Sequence, residues 1–180
     1  LDTSYYYNGE STRTPDGVTI NPNNYEYSEI RAFLNGYDGS KYNVTNYTNA
    51  GFIAKAFTAT EQAKILTTTV DNSAASTRLT TNSYACEDTA DKMFVLSVKE
   101  CFTTALFPTN NSRKAECSDY PRAKYIGMNR SNINLPDDYL TRSPRGDGAT
   151  STFVMYSSGI QDSTGNFYIF AVRPSMRIKM

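Results

Sequence analysis

Apolar positions in this chain come in short clusters whose spacing changes along the sequence, and the spacing lays out a succession of small elements. Before residue 25 the pattern is thin. Tyr5-Tyr6-Tyr7, the pair Val18 and Ile20, and the turn formers Pro15-Asp16-Gly17 and Asn21-Pro22-Asn23-Asn24 predict irregular β structure. From Ser28 onward Ile30, Phe33 and Leu34 share one face at helical spacing and Asn35-Gly36 supplies a stop, so a short amphipathic helix is expected. Residues 37–50 lack periodicity and hold many turn formers, which marks a surface loop. Phe52-Ile53 and Phe57 then lead into Thr58-Ala59-Thr60-Glu61, a capping box that opens a helix reaching Leu66, and residues 67–70 suit a strand.

The longest stretch without periodicity, 71–90, predicts a loop that is either functional or mobile. The strongest apolar run, 92–96, reads as a buried strand and passes directly into a second capping box, Ser97-Val98-Lys99-Glu100. Its helix is expected to continue through Cys101, Phe102 and Ala105 and to stop before Pro108. A polar loop over 108–118, a short helix over 119–127 and a polar connection over 129–136 follow. The densest β patterning begins at Asp138-Tyr139-Leu140-Thr141-Arg142-Ser143-Pro144 and runs to Val172-Arg173-Pro174. Within it, strands over 152–156 and 167–172 flank a turn region, 157–166, and Met176 and Ile178 mark a last short strand. Helices in the first two thirds and strands in the last give an α+β fold, with short helices packed on a mainly antiparallel sheet. A chain of 180 residues suits one domain, here 1–180, with residues 1–20 as a peripheral N-terminal segment.

Charge and composition narrow the chemistry. Lys plus Arg equals Asp plus Glu at 18 each without long runs, so neither nucleic acid nor an anionic membrane surface is implied as a partner. No run of about 18 apolar residues is present, so no membrane insertion is expected. The absence of His removes the commonest metal ligand and the general base of Ser–His–Asp and Cys–His hydrolases. Cys86, Cys101 and Cys117 have no C-x-x-C spacing, which argues against a zinc ribbon and leaves open one disulfide with a spare thiol or three buried thiols. Tyr contributes 14 residues in a chain without Trp, and a Tyr side chain offers large contact area with few rotatable bonds and a polar tip. The same residues serve equally well at half-buried strand positions. Four N-x-S/T triplets, at Asn43, Asn46, Asn110 and Asn129, arise readily in so Asn- and Thr-rich a sequence.

Four short segments, Tyr27-Ser28-Glu29-Ile30-Arg31-Ala32-Phe33-Leu34-Asn35, Leu96-Ser97-Val98-Lys99-Glu100, Tyr139-Leu140-Thr141-Arg142-Ser143-Pro144 and Val172-Arg173-Pro174, occur in the order found in a bacterial domain family of unknown function. The chain resembles that family over residues 20–180, whose motifs read Y-x-x-S-x-I-R-x-W-L-N, L-S-x-x-E, W-W-L-R-S-P and V-R-P. It departs from them at Phe33, Tyr139, Leu140 and Thr141, where the family has Trp, Trp, Trp and Leu. The family in turn is similar to the C-type-lectin-like superfamily, which includes formylglycine-generating domains and the variable proteins of diversity-generating retroelements. The resemblance implies a C-type-lectin-like scaffold that displays a binding face built from its C-terminal segment.

These readings converge on a non-enzymatic binding module of a secreted, cell-surface or phage-associated bacterial protein, without a cofactor, whose partner is a protein or a glycan. The expected contact residues are Tyr139, Thr141, Ser143, Arg145, Asp147, Tyr156, Asn166 and Tyr168, with Tyr supplying stacking area and the others hydrogen bonds. Arg31, Glu100, Arg142 and Arg173 are expected to be framework, the arginines tying sheet to helices through Glu100 or Glu29. Arg145-Gly146-Asp147 spells an integrin-type tripeptide in a turn context, short enough to arise by chance. Asp137, Asp138, Asp147 and Asp162 are hard oxygen ligands in type, yet no D-x-D-x-D-G loop arranges them for Ca²⁺, so solvated turn carboxylates are expected. Two further classes remain: a formylglycine-generating-type oxidoreductase, which requires two accessible thiols close together, and a structural assembly subunit.

Overall fold

The computed structural model describes residues 11–36, 51–115, 138–159, 161–165 and 172–180. The loop expected over 37–50, the helix over 119–127, the connection over 129–136, residues 167–171 of the expected strand, and the candidates Asn166, Tyr168, Asp137 and Cys117 lie outside the described residues.

The first described segment, with a 3-10 turn at Pro15–Gly17 and a single β-bridge between Arg13 and Ile20, is irregular as its turn formers require. Helix α1, Glu29–Asn35, starts where the Ser28 hydroxyl accepts the Arg31 N–H and buries Ile30 and Leu34; Gly36 ends it at φ 92°. Helix α2, Gly51–Ala56, packs its Phe52 against Phe33 of α1, with ring centroids 5.9 Å apart. Gly51 is required there: a Cβ would lie 2.2 Å from the Gly36 nitrogen, so the end of α1 and the start of α2 meet backbone to backbone.

Helix α3, Ala59–Gln62, carries the complete Thr58/Glu61 capping box but lasts one turn. Its predicted continuation to Leu66 is taken over by strand β1, Ile65–Leu66, because Ile65 is buried by pairing with the C-terminal strand rather than by the helix. Strands β2, Thr68–Val70, and β3, Thr89–Asp91, form a two-stranded antiparallel ladder. Between them the long polar stretch is anchored: Asn72 Nδ2 donates to the Glu87 carbonyl at 2.9 Å and Asn82 Nδ2 to the Pro144 carbonyl at 2.9 Å. Strand β4, Met93–Val95, is fully buried, and helix α4, Val98–Cys101, follows it through the Ser97/Glu100 capping box. The helix does not extend to Ala105. Thr103 turns its hydroxyl onto the Lys99 carbonyl at 2.9 Å, and the two adjacent β-branched threonines weaken helix propagation. Helix α5, Asn110–Arg113, falls where a polar loop was expected, capped by Thr109 and Ser112.

The C-terminal part holds strands β5, Tyr139–Pro144, β6, Ser151–Met155, β7, Gln161–Gly165, and β8, Pro174–Ile178. β7 occupies half of what reads as a turn region; a turn is described over 156–159, where the Gly159 N–H reaches the Tyr156 carbonyl at 2.7 Å. Val172 is not in a strand. Among the described residues the strands form three antiparallel sheets, with orders β1-β8-β4, β2-β3 and β5-β6-β7. The fold is therefore a mixture of short helices and small antiparallel sheets, as the α+β pattern implied. The main core gathers Tyr25, Ile30, Leu34, Ile53, Val70, Phe94, Val95, Leu140 and Val154 from all parts of the described chain, and a second cluster joins Cys101, Tyr139 and Met155. Among the described residues no helix is long and apolar enough to cross a membrane.

Candidate functional site

Strand β5 is buried along its whole length, an unusual state for a strand with Thr, Arg and Ser at its centre. Buried polar groups require partners, and each of these has them. Arg142 is 2 % exposed. Its Nη1 donates to the Val95 carbonyl at 2.7 Å and to Glu100 Oε2 at 2.6 Å, while Nε and Nη2 both reach the Asp71 carbonyl, at 3.3 and 3.1 Å. One guanidinium thus joins β4, α4 and the end of β2. Thr141 donates to the Phe153 carbonyl at 2.7 Å, and the Ser143 hydroxyl accepts the Val98 N–H at 3.0 Å.

The Tyr139 hydroxyl donates to the Arg113 carbonyl at 2.7 Å and accepts from Arg173 Nη1 at 3.2 Å. Burial, then the neighbouring Cys101 thiol, push this phenol up to about 12. Arg173 also donates to the Arg113 carbonyl at 3.0 Å and stacks on the Phe107 and Tyr139 rings. Tyr139, Thr141 and Ser143, expected on a contact surface, are therefore interior residues, with side chains engaged by the protein itself. They pair internally because β5 is covered on both faces, so no alternation of inward and outward positions survives.

Arg142 and Glu100 form the framework pair that the sequence implied. Arg31 is tied to β3: its Nε lies 2.8 Å from Asp91 Oδ1, and its Nη1 donates to the Glu26 carbonyl at 2.8 Å.

Beyond Pro144 the chain leaves the interior. The segment 145–150 is held at its base by the Arg145 N–H on the Ser151 carbonyl, 3.0 Å, and from the side by Asn23. Asn23 is fully buried; its Nδ2 donates to the Gly148 and Ser151 carbonyls at 2.9 and 3.0 Å, and its N–H to the Ala149 carbonyl at 3.1 Å. Gly146 sits against Leu79, whose Cδ1 lies 2.9 Å from the position a Cβ would take. The backbone of this loop is pinned while its charged side chains face water: Arg145 and Asp147 form an ion pair with side chains 37 % and 61 % exposed. Tyr156, half-buried, packs against the main core with part of its surface outward. Of the six expected contact residues that the structure describes, Arg145, Asp147 and Tyr156 reach the surface. Asn23 and Asn82, which position the loop, carry no sequence motif; only the turn formers around Asn23 drew notice to them.

A family model described as a domain of unknown function (DUF6273) matches residues 4–180. The chain belongs to this family. No curated protein and no solved structure gives a match.

In this DUF6273 domain, Cys86 and Cys101 are free thiols rather than partners in a disulfide. Burial pushes each up to about 11, so both are protonated at neutral pH and neither has the thiolate character that cysteine chemistry demands. Asp138 is an internal acceptor, its Oδ1 receiving the Ser157 N–H at 2.6 Å. Among the described residues no group of three or more acidic or sulfur ligands could hold a metal ion.

Proposed function

We propose that this domain is a non-enzymatic binding module of C-type-lectin-like architecture, displayed by a secreted, cell-surface or phage-associated protein, whose ligand is a protein or a glycan. The binding face is the rim around residues 145–150, with Arg145, Asp147 and Tyr156 as contacts. The observation that carries this reading is the division of labour on either side of Pro144: side chains before it are buried and internally satisfied, and those after it stand outward on a backbone fixed by Asn23. A loop held in one conformation loses little entropy when a ligand orders its side chains, which favours binding. The mixture of short helices and antiparallel sheets, with the C-terminal strand returning to pair with β1 and β4, is compatible with the lectin-like scaffold.

The test is a glycan and protein array probed with the whole chain and with a chain carrying Arg145→Ala and Asp147→Ala. A ligand captured by the first and lost by the second, at equal thermal stability, supports the reading. Silence on the array together with self-association in solution would instead favour an assembly subunit.

A further inference from the structure

Asn-Gly and Asp-Gly pairs share a reaction that needs no enzyme: the Gly amide nitrogen attacks the side-chain carbonyl carbon of the residue before it. The two groups are held close by the chain itself, and Gly has no Cβ to obstruct the approach. Among the described residues three such pairs occur, Asp16-Gly17, Asn35-Gly36 and Asp147-Gly148. The fold treats them differently.

At Asn35-Gly36 both reacting groups are engaged. The Gly36 N–H donates to the Ala32 carbonyl at 2.8 Å, and the Asn35 amide is bound through Oδ1 and Nδ2 to the backbone of Lys92 and Met93. At Asp16-Gly17 the Gly17 N–H reaches the Thr14 carbonyl at 3.4 Å within the 3-10 turn. Asp147-Gly148 has no such restraint. The Gly148 N–H and the Asp147 carbonyl carry no hydrogen bond among the described residues, so the peptide plane between them turns without breaking one. The planes that follow are fixed, because Asn23 bonds the Gly148 and Ala149 carbonyls at 2.9 and 3.1 Å. The Asp147 side chain is 61 % exposed, in reach of the water that completes the reaction.

We propose that Asp147-Gly148 is a site of spontaneous covalent modification, at which Asp147 converts to isoaspartate through a succinimide. The Gly148 nitrogen bonds to Asp147 Cγ, and the nitrogen's hydrogen leaves with one carboxyl oxygen and its proton as water. A water then adds to the imide. Opening at Cγ restores Asp147, whereas opening at the backbone carbonyl carbon routes the chain through Cβ and Cγ and leaves that carbonyl as the free carboxylate. Mass is unchanged and no reactant besides water is consumed. The product has one more backbone atom between Asp147 and Gly148, beside carbonyls that Asn23 holds, so the carboxylate moves relative to Arg145. A change in binding by the modified chain rests on the 145–150 rim being the binding face; the isomerisation does not.

The test incubates the full chain for weeks at neutral pH, native and in guanidinium chloride, and maps isoaspartate by peptide digestion and electron-transfer fragmentation. In the native chain Asp147 should convert ahead of Asn35 and Asp16. In denaturant Asn35 should convert first, because an Asn amide loses ammonia more readily than an Asp carboxyl loses water. The reversal of order separates protection by the fold from the sequence alone. Gly148→Ala tests the nucleophile without disturbing the loop, since the added Cβ would meet Ser151 Oγ at 3.9 Å, an ordinary contact. It should slow conversion of Asp147 by about tenfold, a barrier increase of about 1.4 kcal/mol. No isoaspartate at Asp147, Asn35 converting ahead of it in the native chain, or Gly148→Ala reacting as fast as the parent would each overturn the proposal.

Discussion

A single oxygen, Oε2 of Glu100, accepts both the Ser97 N–H at 2.8 Å and Arg142 Nη1 at 2.6 Å. The helix cap of α4 and the charge partner of β5 are therefore the same atom. Removing either side leaves the other in a worse state than before, because Arg142 is buried and Glu100 caps orphan helix N–H groups.

Arg142→Ala should lower unfolding free energy by about 3–5 kcal/mol, the cost of breaking a buried ion pair from one side. Arg142→Lys keeps the charge but cannot reach Val95, Asp71 and Glu100 together, so it should recover only part of the loss. Urea denaturation followed by tyrosine fluorescence reads both. An Arg142→Ala chain as stable as the parent would remove the framework role of this residue.

Asn35 stands at the end of α1 and acts as an extra strand for β4. Its Oδ1 accepts the Lys92 and Met93 N–H groups at 3.1 and 2.9 Å, and its Nδ2 donates to the Met93 carbonyl at 2.7 Å. Asn35→Asp replaces the donor with an acceptor facing that carbonyl and should cost about 1–3 kcal/mol, as an unsatisfied buried group does. Asn35→Ala should cost a similar amount, and a thermal midpoint unchanged in both would refute the pairing.

Much of this was legible from residue spacing, and the exceptions share a cause. The Ser28 and Ser97 caps and the buried run at β4 follow from local chemistry that any short window contains. Helix α5 was hidden because its cap is Thr109 with Ser112 in place of Glu or Gln, and β7 because Gln161-Asp162-Ser163-Thr164 has no apolar residue to signal a strand. The end of α3 depended on Ile178, more than a hundred positions away, which takes Ile65 into a ladder. Of the site, the outward loop was visible as turn formers after Pro144. The inward orientation of Tyr139, Thr141 and Ser143 was not, since a strand buried on both faces shows polar residues wherever the interior offers partners.

Alkaline pH should destabilise the fold through its thiols. Burial raises Cys86 and Cys101 to about 11, whereas an unfolded thiol titrates near about 8.5. A group with a raised folded pKa contributes stability below its unfolded value and loses it as pH climbs to the folded one. Urea midpoints should therefore fall between pH ~8.5 and ~11, and the double variant Cys86→Ala, Cys101→Ala should flatten the early part of that decline. Iodoacetamide at pH 8, mapped by mass spectrometry, should label these two positions slowly in the native chain and rapidly in urea. Fast native labelling of half-buried Cys86 or buried Cys101 would contradict the shielding that raises them.

Asn23 gives the sharpest separation between holding the loop and making contact. Its side chain is buried and bonds two carbonyls of the 145–151 segment, whereas Arg145 and Asp147 form an exposed ion pair, a class worth about 0–1 kcal/mol. Asn23→Ala should therefore cost about 1–3 kcal/mol and accelerate amide exchange at Gly148 and Ala149, because the backbone would lose its lateral support. Arg145→Ala should leave both stability and exchange unchanged. For any ligand the domain captures through this loop, the two variants should fail differently. Arg145→Ala removes a contact, whereas Asn23→Ala keeps every contact side chain and loses affinity because the loop must be ordered anew on binding. Hydrogen exchange measured beside affinity decides between them: weaker binding by Asn23→Ala without faster exchange at the loop would show that preorganisation is not what Asn23 provides.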